Sequence, residues 1–314
     1  MMRARILWMV AGVAASGALA AAQPTGRINP MIDLLEQKKP VFGVYAPSAG
    51  RGREAGAPAR TAAELAKDAL AYEPGDLLFS GAMEGNFERG FGSFAEFVGE
   101  LAKSPDRLKH PLVTKTPKIA TDPARAVDNI GRQLNLGVTT IVFVNVESAA
   151  EVQQGLAAMR FKSHGGTRSD AVGSAPAYWG LTEEQYRRKA DLWPLNPAGE
   201  LANWVIVESK EGVAKVREIA AVKGIGVLLP GAGTLRRVFT TETPDGQRVF
   251  DEAGWEAAIQ RVLAACKEFS VPCGYPATEK DIEMRMKQGF SVFIINWGEA
   301  GFRAVEIGRK AAGR

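Results

Sequence analysis

The sequence predicts an α/β protein folded as a single (β/α)8 barrel (TIM barrel), and three observations favour that fold. From residue 40 onward, short runs of apolar and β-branched residues alternate with longer amphipathic segments. Alternation of strands and helices is typical of a parallel sheet. Eight such units follow one another in about 270 residues, which is the ordinary size of one barrel. A doubly wound open sheet is the alternative fold.

The first half of the barrel shows clear boundaries between its strands and helices. Asp122 is a capping residue and Pro123 occupies the first position of a helix. Ser148, with Glu151 three residues later, has the spacing of a capping box. The predicted strands are "PVFGVYAPS" (40–48), "GDLLFSGAME" (75–84), "HPLVTKTP" (110–117) and "VTTIVFVNVES" (138–148). The helical patterns after them cover 60–72, 92–103, 123–135 and 148–159.

The second half repeats the alternation, and long loops interrupt the chain in three places. The predicted strands are "NWVIVES" (203–209), "GIGVLLPGAG" (224–233), "VPCGYPAT" (271–278) and "SVFIINWG" (291–298). The helical patterns cover 211–221, 254–268, 279–288 and 299–312. The long loops are 49–59, 160–202 and 240–254. All three lie beside strand ends, on or near the face where barrels carry out chemistry.

Residues 1–22 predict a secretory signal peptide that precedes the barrel of residues 23–314. A positive head, "MMRAR", is followed by an apolar stretch rich in small residues, and Ala20-Ala21-Ala22 before Gln23 fits a cleavage site. A membrane anchor is the alternative. The mature protein is then expected in the periplasm or outside the cell. No later run reaches the ~18 apolar residues that span a membrane.

Composition argues against several classes of partner and cofactor. The 314 residues carry a net charge of +4, and no run of four or more basic residues indicates nucleic-acid binding. The chain has two cysteines and two histidines, and their spacing does not suggest a zinc site. We expect Cys266 and Cys273 to be buried thiols, although an oxidising compartment would permit a disulfide between them.

Candidate catalytic residues follow the predicted strands, because barrels carry their chemistry at the carboxyl ends of their strands. Glu84, Lys115, Glu147 and Glu208 follow the second to the fifth strand. Three carboxylates and a lysine suit a divalent-metal or an acid–base site. Glu147 has a second interpretation, as an acid that favours the start of the next helix. Glu84 and Lys115 are equally consistent with solvated loop residues.

The sixth predicted strand ends in "PGAG", which contains Gly231, Ala232 and Gly233. Glycines let main-chain N–H groups approach an anionic ligand, so this turn needs no charged side chain to bind one. His164 and Arg168, in the loop 160–202, are interpreted as anion contacts or loop anchors. His110 begins a strand, on the opposite face of a barrel, and is interpreted as structural. No G-x-S-x-G motif indicates a nucleophilic serine.

Several segments resemble, in the same order, those of the HpcH/HpaI aldolase and citrate lyase family. They are "VFVNVESAAEVQQGLAAMRF", "GGTRSDAVG" followed by "YWGL", "NWVIVES" and "GIGVLLPGAGTL", and the resemblance covers about residues 30 to 310. It implies a barrel of the pyruvate/phosphoenolpyruvate type. It further implies a lyase that cleaves or forms a C–C bond beside a 2-oxo acid, with a pyruvate enolate held on Mg2+ or Mn2+. Homo-oligomers with exchanged C-terminal helices are typical of the family, so an oligomer is one option.

The resemblance also implies roles for individual residues. The metal-binding glutamate of the family corresponds to Glu208, and Glu147 is the predicted second ligand. The second metal-binding residue of the family, an aspartate, would fall near Ala232 or Gly233, where this chain has no carboxylate. In "MEGNF", Glu84 stands where the family has its catalytic histidine.

The predicted substrate contacts come from three parts of the chain. The substrate-binding arginine of the family falls on Thr114 or Lys115. Lys115 is therefore predicted to pair with a substrate carboxylate, helped by Arg168 and by the turn of Gly231, Ala232 and Gly233.

Three functions are compatible with these residues. The first is a divergent metal-dependent lyase that acts on a small 2-oxo acid or another carboxylate. The second is an exported, non-catalytic binding protein that keeps the barrel and its pocket. The third is a metal-independent hydrolase that uses the carboxylates of Glu84 and Glu208. None of them involves nucleic acid, or a membrane after signal cleavage.

Overall fold

The computed structural model describes residues 26–49 and 59–314. The predicted signal segment, 1–22, and nearly all of the loop 49–59 lie outside these residues. Within them, no helix is long and apolar enough to cross a membrane.

Ten strands occur in the described ranges, and eight of them coincide with the eight predicted strands. They are β1 (Val41–Tyr45), β2 (Leu77–Ser80), β3 (Leu112–Thr116), β4 (Thr140–Phe143), β5 (Ala202–Val207), β6 (Val227–Pro230), β7 (Thr240–Glu242), β8 (Arg248–Phe250), β9 (Gly274–Pro276) and β10 (Val292–Ile295).

Thirteen α-helices occur in the same ranges. They are α1 (Pro30–Glu36), α2 (Ala62–Ala71), α3 (Phe87–Leu101), α4 (Pro123–Asn135), α5 (Ala149–Met159), α6 (Ala175–Trp179), α7 (Glu183–Lys189), α8 (Lys210–Ala214), α9 (Val216–Ala220), α10 (Ala232–Val238), α11 (Glu252–Phe269), α12 (Ile282–Gln288) and α13 (Glu299–Ala311). The predicted caps are present, since the side chains of Asp122 and Ser148 accept hydrogen bonds from the first turns of α4 and α5.

Eight parallel strands form the barrel predicted from the sequence. Their order is β6-β5-β4-β3-β2-β1-β10-β9, and all neighbours in that order pair in parallel. A parallel bridge between Leu228 of β6 and Cys273, just before β9, joins the two ends of the sheet. The fold is therefore a single (β/α)8 barrel.

Alternate residues of the strands fill the lumen of the barrel. The buried side chains of Leu77, Phe79, Val113 and Trp204 belong to one apolar cluster. Phe79 stacks on Trp204 with ring centroids 5.9 Å apart, and Tyr45 meets Phe79 edge-on at 4.9 Å. Helix α1, which precedes β1, adds three buried side chains to the same cluster. They are Met31, Ile32 and Leu35. The lumen is a packed core with room for ligands only at its ends.

The long loop 160–202 is mostly ordered by its own short helices, α6 and α7. Trp179 and Tyr186 from these helices are fully buried. The indole of Trp179 donates a hydrogen bond to the carbonyl of Gly137, and the hydroxyl of Tyr186 donates one to the carbonyl of Leu134. This loop is a packed layer against the end of α4, rather than an open lid.

Cys266 and Cys273 form a disulfide, in place of the two free thiols expected. Cys266 lies near the end of α11 and Cys273 just before β9, and both are buried. The bond ties the longest helix to the strand that closes the barrel.

Removing this disulfide is expected to destabilise the barrel. Replacing both cysteines with alanine should lower the free energy of unfolding by roughly 2–3 kcal/mol, because the unfolded chain regains the freedom of a short closed loop. Chemical denaturation with and without reductant measures this. The double variant should not respond to reductant, and an equal stability of oxidised and reduced wild type would contradict the prediction.

Candidate active site

Glu208 is a buried carboxylate at the mouth of the barrel. It follows β5, in which Trp204 and Ile206 belong to the lumen cluster, and alternation places Glu208 on the same side. Its side chain is buried, and Oε1 accepts a hydrogen bond of 3.0 Å from the main-chain N–H of Asn145. Asn145 adopts a left-handed backbone with φ of 47°. An uncommon backbone conformation thus supplies the hydrogen bond that a buried carboxylate requires.

The glycine-rich turn after β6 is shaped around Glu208. A Cβ at Gly231 would lie 2.5 Å from both Cβ and Oε2 of Glu208, so a side chain does not fit there. The N–H of Gly231 donates to the carbonyl of Val207, and Ala232 is buried as the first residue of α10. The N–H of Gly231, predicted to face an anion, is therefore part of the sheet.

Glu84 and Lys115, the two predicted catalytic residues, form an ion pair at the mouth. Nζ of Lys115 lies 2.9 Å from Oε2 of Glu84, and the lysine side chain is only 13% exposed. A Cβ placed on Gly81 would lie 3.7 Å from Cδ of Lys115, 3.9 Å from Oε2 of Glu84 and 3.9 Å from the ring of Tyr45. The ends of β1, β2 and β3 thus bring an ammonium, a carboxylate and a phenol ring around one point.

Glu147, the second predicted metal ligand, is bound by a different lysine. Its carboxylate pairs with the ammonium of Lys118. The hydrogen bond from Lys118, together with one from the Ser209 hydroxyl, holds the pKa of Glu147 below its ordinary value of 4.5. Glu147 is therefore a charged partner of Lys118 at neutral pH.

The carboxylates at the mouth do not fit the metal site that the resemblance implies. Among the described residues, no group of three or more His, Cys, Asp or Glu side chains is placed to hold an ion. Glu84 and Glu147 are each occupied by a lysine, and the position of the second family ligand has no carboxylate. Glu208 is left as a single candidate ligand, whereas a protein-held divalent cation usually has several oxygen ligands.

A cavity of about 280 Å³ opens beside this rim, between the starts of α3 and α4. Gly85, directly after Glu84, and Lys118, two residues after the end of β3, border it. Asn129 of α4 also lines it; this side chain is buried, and its Oδ1 has no hydrogen-bond partner in the described part of the chain. The cavity gives a small polar ligand space between α3 and α4, and neither Lys115 nor Glu84 is among its lining residues.

Arg168 lies away from the mouth. Its side chain is fully buried, and it donates hydrogen bonds to Oδ1 of Asn135 (2.7 Å) and to the hydroxyl of Tyr186 (3.0 Å). The guanidinium also stacks over the ring of Phe161 at 4.3 Å. Asn135 ends α4, so these contacts lie near the amino ends of the strands. This position does not support the predicted contact between Arg168 and a substrate. It supports the interpretation of Arg168 as a loop anchor.

The two histidines are also remote from proton-transfer chemistry. His110 is buried just before β3, and burial lowers its pKa below the ordinary value of 6.5. His164 lies on a short 3-10 turn, Lys162–His164, and its ring meets Phe161 edge-on. His110 is structural, as interpreted from the sequence.

Three residues that shape the mouth were missed by the sequence reasoning. Lys118 directly follows Thr-Lys-Thr-Pro, two residues after the end of β3, and a basic residue so close to a strand end is a usable signal. Asn145 and Asn129 give no such signal. Asn145 acts through its main-chain N–H, and Asn129 through a side chain buried on α4.

A glycine-to-alanine pair in the PGAG turn tests how Glu208 is positioned. Gly231→Ala should cost about 1–3 kcal/mol of unfolding free energy, because its new methyl group overlaps Glu208. Gly233→Ala is the matched control, since nothing lies within 4 Å of a Cβ there. Denaturation curves of both variants measure the difference. Equal stability of the two variants would contradict the proposed packing.

The lowered pKa of Glu147 predicts a pH-dependent role for Lys118. Because the folded-state pKa lies below the unfolded value, the pair stabilises the protein above about pH 4.5, and this stabilisation is lost as pH falls through the folded pKa. Lys118→Gln should therefore lower the unfolding free energy by up to about 1 kcal/mol at pH 7, and by much less at pH 3. Urea denaturation at both pH values measures this. A constant difference would mean that the ion pair contributes nothing.

Comparison with known proteins agrees with the barrel fold and with the family resemblance of the sequence. The sequence model of the HpcH/HpaI aldolase/citrate lyase family matches residues 118–298, more than half of the chain. A search of curated proteins found no match.

Solved structures share the fold. An HpcH/HpaI aldolase/citrate lyase family protein from Burkholderia cenocepacia J2315 has a TM-score of 0.65 at 21% identity, and the match covers 91% of this chain and 98% of that one. An HpcH/HpaI aldolase from Desulfitobacterium hafniense DCB-2 has a TM-score of 0.61 at 14% identity, covering 90% and 94%.

A third structure is named with its ligands. The citrate lyase beta subunit from M. tuberculosis, complexed with oxaloacetate and magnesium, has a TM-score of 0.52 at 14% identity, and the match covers 88% of this chain and 98% of that one. At these identities the structures establish the fold, and the sequence match establishes the family. The chain belongs to the HpcH/HpaI aldolase/citrate lyase family.

Proposed function

We propose that this protein is a carbon–carbon lyase that binds a small 2-oxo acid at the barrel mouth and cleaves or forms the bond beside its oxo group. The observation that carries the proposal is the Lys115–Glu84 pair, held by β2 and β3 at the end of the barrel where such folds carry out chemistry. Family membership supports the reaction class. The named complex of the citrate lyase beta subunit with oxaloacetate supports a carboxylate ligand.

Each residue of the pair has a chemical role in this proposal. The ammonium of Lys115 is the cation that meets the carboxylate of the ligand, as a point charge. Glu84, 39% exposed beside it, has the position of a group that takes and returns a proton.

Of the predictions made from the sequence, a bound divalent cation is the one that the carboxylates at the mouth support least. We therefore expect that turnover does not depend on added Mg2+ or Mn2+ and survives a chelator. Turnover that is lost with chelator, restored by Mg2+ and abolished in Glu208→Gln would instead establish Glu208 as a metal ligand.

The lyase proposal predicts pyruvate release from 4-hydroxy-2-oxo acids, followed with a coupled dehydrogenase. Glu84→Gln should lower kcat by about 10²–10⁴-fold, because it removes the proton-transfer group while keeping its shape. Glu100→Gln is the matched control, since Glu100, near the end of α3, pairs with the exposed Lys103 just beyond that helix. Unchanged turnover in Glu84→Gln would contradict the role of Glu84.

A non-catalytic binding protein is the second candidate, and one observation favours it. Both Glu84 and Glu147 are paired with lysines in the structure, so neither carboxylate is free to act as a base or a metal ligand. Folded wild-type protein that binds 2-oxo acids by calorimetry, without any turnover across the panel, would establish this function in place of the first.

We also propose that the protein is exported, as the segment 1–22 predicts. The disulfide between Cys266 and Cys273 supports an oxidising compartment. Sequencing the mature amino terminus tests this, and the expected first residue is Gln23.

A further inference from the structure

The face that β3 turns toward helix α4 carries two threonines. Val113 belongs to the lumen cluster, so alternation along the strand turns Thr114 and Thr116 outward, toward α4. The hydroxyl of Thr114 donates a hydrogen bond of 2.6 Å to Oε1 of Gln133 in α4. Both side chains are fully buried. A polar pair thus joins the strand and the helix inside the protein.

Two further polar side chains lie nearer the carboxyl end of β3, and they have no such partner. Helix α4 begins where β3 ends and runs back along it. Thr116 follows Thr114 by about 6.6 Å of strand, and Asn129 precedes Gln133 by about 6 Å of helix, so the two are level with each other. Thr116 is fully buried and Asn129 is 3% exposed. Among the residues that the structure describes, Oγ1 of Thr116 and Oδ1 of Asn129 take part in no hydrogen bond.

These two unpaired groups lie at the floor of a cavity. Buried polar groups without a partner destabilise a protein, and native proteins pair nearly all of them. Asn129 lines the cavity of about 280 Å³ between α3 and α4, and so does Pro117, directly after Thr116. An occupant of this cavity would supply the hydrogen bonds that the fold leaves unmade.

The charged residues around the cavity favour an anionic occupant. The carboxylate of Glu88 accepts hydrogen bonds of 2.7 and 2.9 Å from Arg132, and that of Asp122 accepts one of 3.0 Å from the N–H of Arg125. The ammonium of Lys118 is likewise held in an ion pair. The guanidinium of Arg125, in contrast, is 61% exposed and lies 3.7 Å from Glu88. It is the charge at the rim that is left to bind a ligand.

The spacing of rim and floor indicates the chemistry of that ligand. Arg125 and Asn129 are four residues apart on one face of α4, about 6 Å along its axis. A carboxylate suits the guanidinium at the rim. A hydroxyl suits the floor, because it donates to Oδ1 of Asn129 and also exchanges a hydrogen bond with Thr116. The cavity volume is at the lower end of the range for ligand pockets, so the ligand is small.

We propose that the cavity between α3 and α4 is a second binding site, separate from the barrel mouth, and that it binds a small hydroxy acid. The hydroxyl of the ligand bonds to Asn129 and Thr116, and its carboxylate pairs with Arg125. Lys115 and Glu84 are not among the residues that line this cavity. The inference therefore does not rest on the proposed lyase function.

Isothermal titration calorimetry of the purified protein tests which chemical groups the site recognises. The probes are glycerate, tartrate and gluconate, which carry both a carboxylate and hydroxyls. Propionate lacks the hydroxyls and glycerol lacks the carboxylate, so each should bind roughly tenfold or more weakly than the best hydroxy acid. Binding of none of the three hydroxy acids would overturn the proposal, and so would equal binding of propionate or glycerol.

Substitutions at the floor and the rim test the contacts. Thr116→Val removes the hydroxyl with little change of shape, Asn129→Leu removes the amide, and Arg125→Gln removes the charge. Each should weaken hydroxy acid binding by roughly tenfold or more. Arg89→Gln is the matched control and should bind as wild type does, since Arg89 is exposed in the first turn of α3 and does not line the cavity. Wild-type affinity in the three site variants would refute the assignment.

Lys115→Gln shows where the hydroxy acid binds. This variant lacks the cation of the barrel mouth, and it should bind the hydroxy acid as wild type does. A hydroxy acid whose binding is lost in Lys115→Gln and kept in Asn129→Leu binds at the mouth. That result would overturn the second site and leave the proposed function in place.

Thermal melts separate a ligand site from a structural role. Without ligand, Asn129→Leu and Thr116→Val should melt at or above the wild-type temperature, because each removes a buried polar group that has no partner in the described ranges. Gln133→Leu should melt below wild type, since it breaks the hydrogen bond with Thr114. A bound hydroxy acid should raise the melting temperature of wild type. Lower melting temperatures in both Asn129→Leu and Thr116→Val would show that these side chains serve the fold, against the proposal.

Discussion

The hydrogen bond from the main chain of Asn145 to Glu208 is the constraint around which the mouth is arranged. A buried carboxylate is costly unless it is hydrogen-bonded, and here the donor is an N–H of the neighbouring strand end, 3.0 Å away. That donor depends on a left-handed residue after β4. It also depends on a bare Gly231 after β6, because any Cβ there would displace Glu208. Three consecutive strands of the barrel are thus adapted to one side chain.

The other charged residues of the mouth are organised by β3. Lys115, within β3, binds Glu84 from the β2 side, and Lys118, just beyond it, binds Glu147 from the β4 side. Each lysine compensates the charge of one carboxylate. This arrangement explains in physical terms why three acids at adjacent strand ends do not converge. The mouth contains two separate ion pairs and one buried acid.

The sequence predicted the barrel well because its evidence is local. The alternation of apolar runs and amphipathic segments depends only on near neighbours, and eight strands with the helices between them follow from it. Glu84, Lys115 and Glu208 were likewise predictable at the mouth, since strand ends meet at one face.

Ion-pair partners and burial depend on contacts distant in sequence, so the sequence did not predict them. The positive charge of Arg168 suggested a ligand contact. In the structure its side chain is buried and bound to Asn135, which lies 33 residues earlier in the sequence. The hairpin β7–β8 and the Cys266–Cys273 bond are likewise set by packing rather than by periodicity.

The PGAG turn shows how one residue type serves different purposes. Glycine was predicted there to expose main-chain N–H groups to an anion, yet the N–H of Gly231 completes the sheet by donating to Val207. The missing side chain is what the structure uses, because it leaves space for Glu208. The turn therefore holds Glu208 in its place at the mouth through the side chain that Gly231 lacks, and not through an acid of its own.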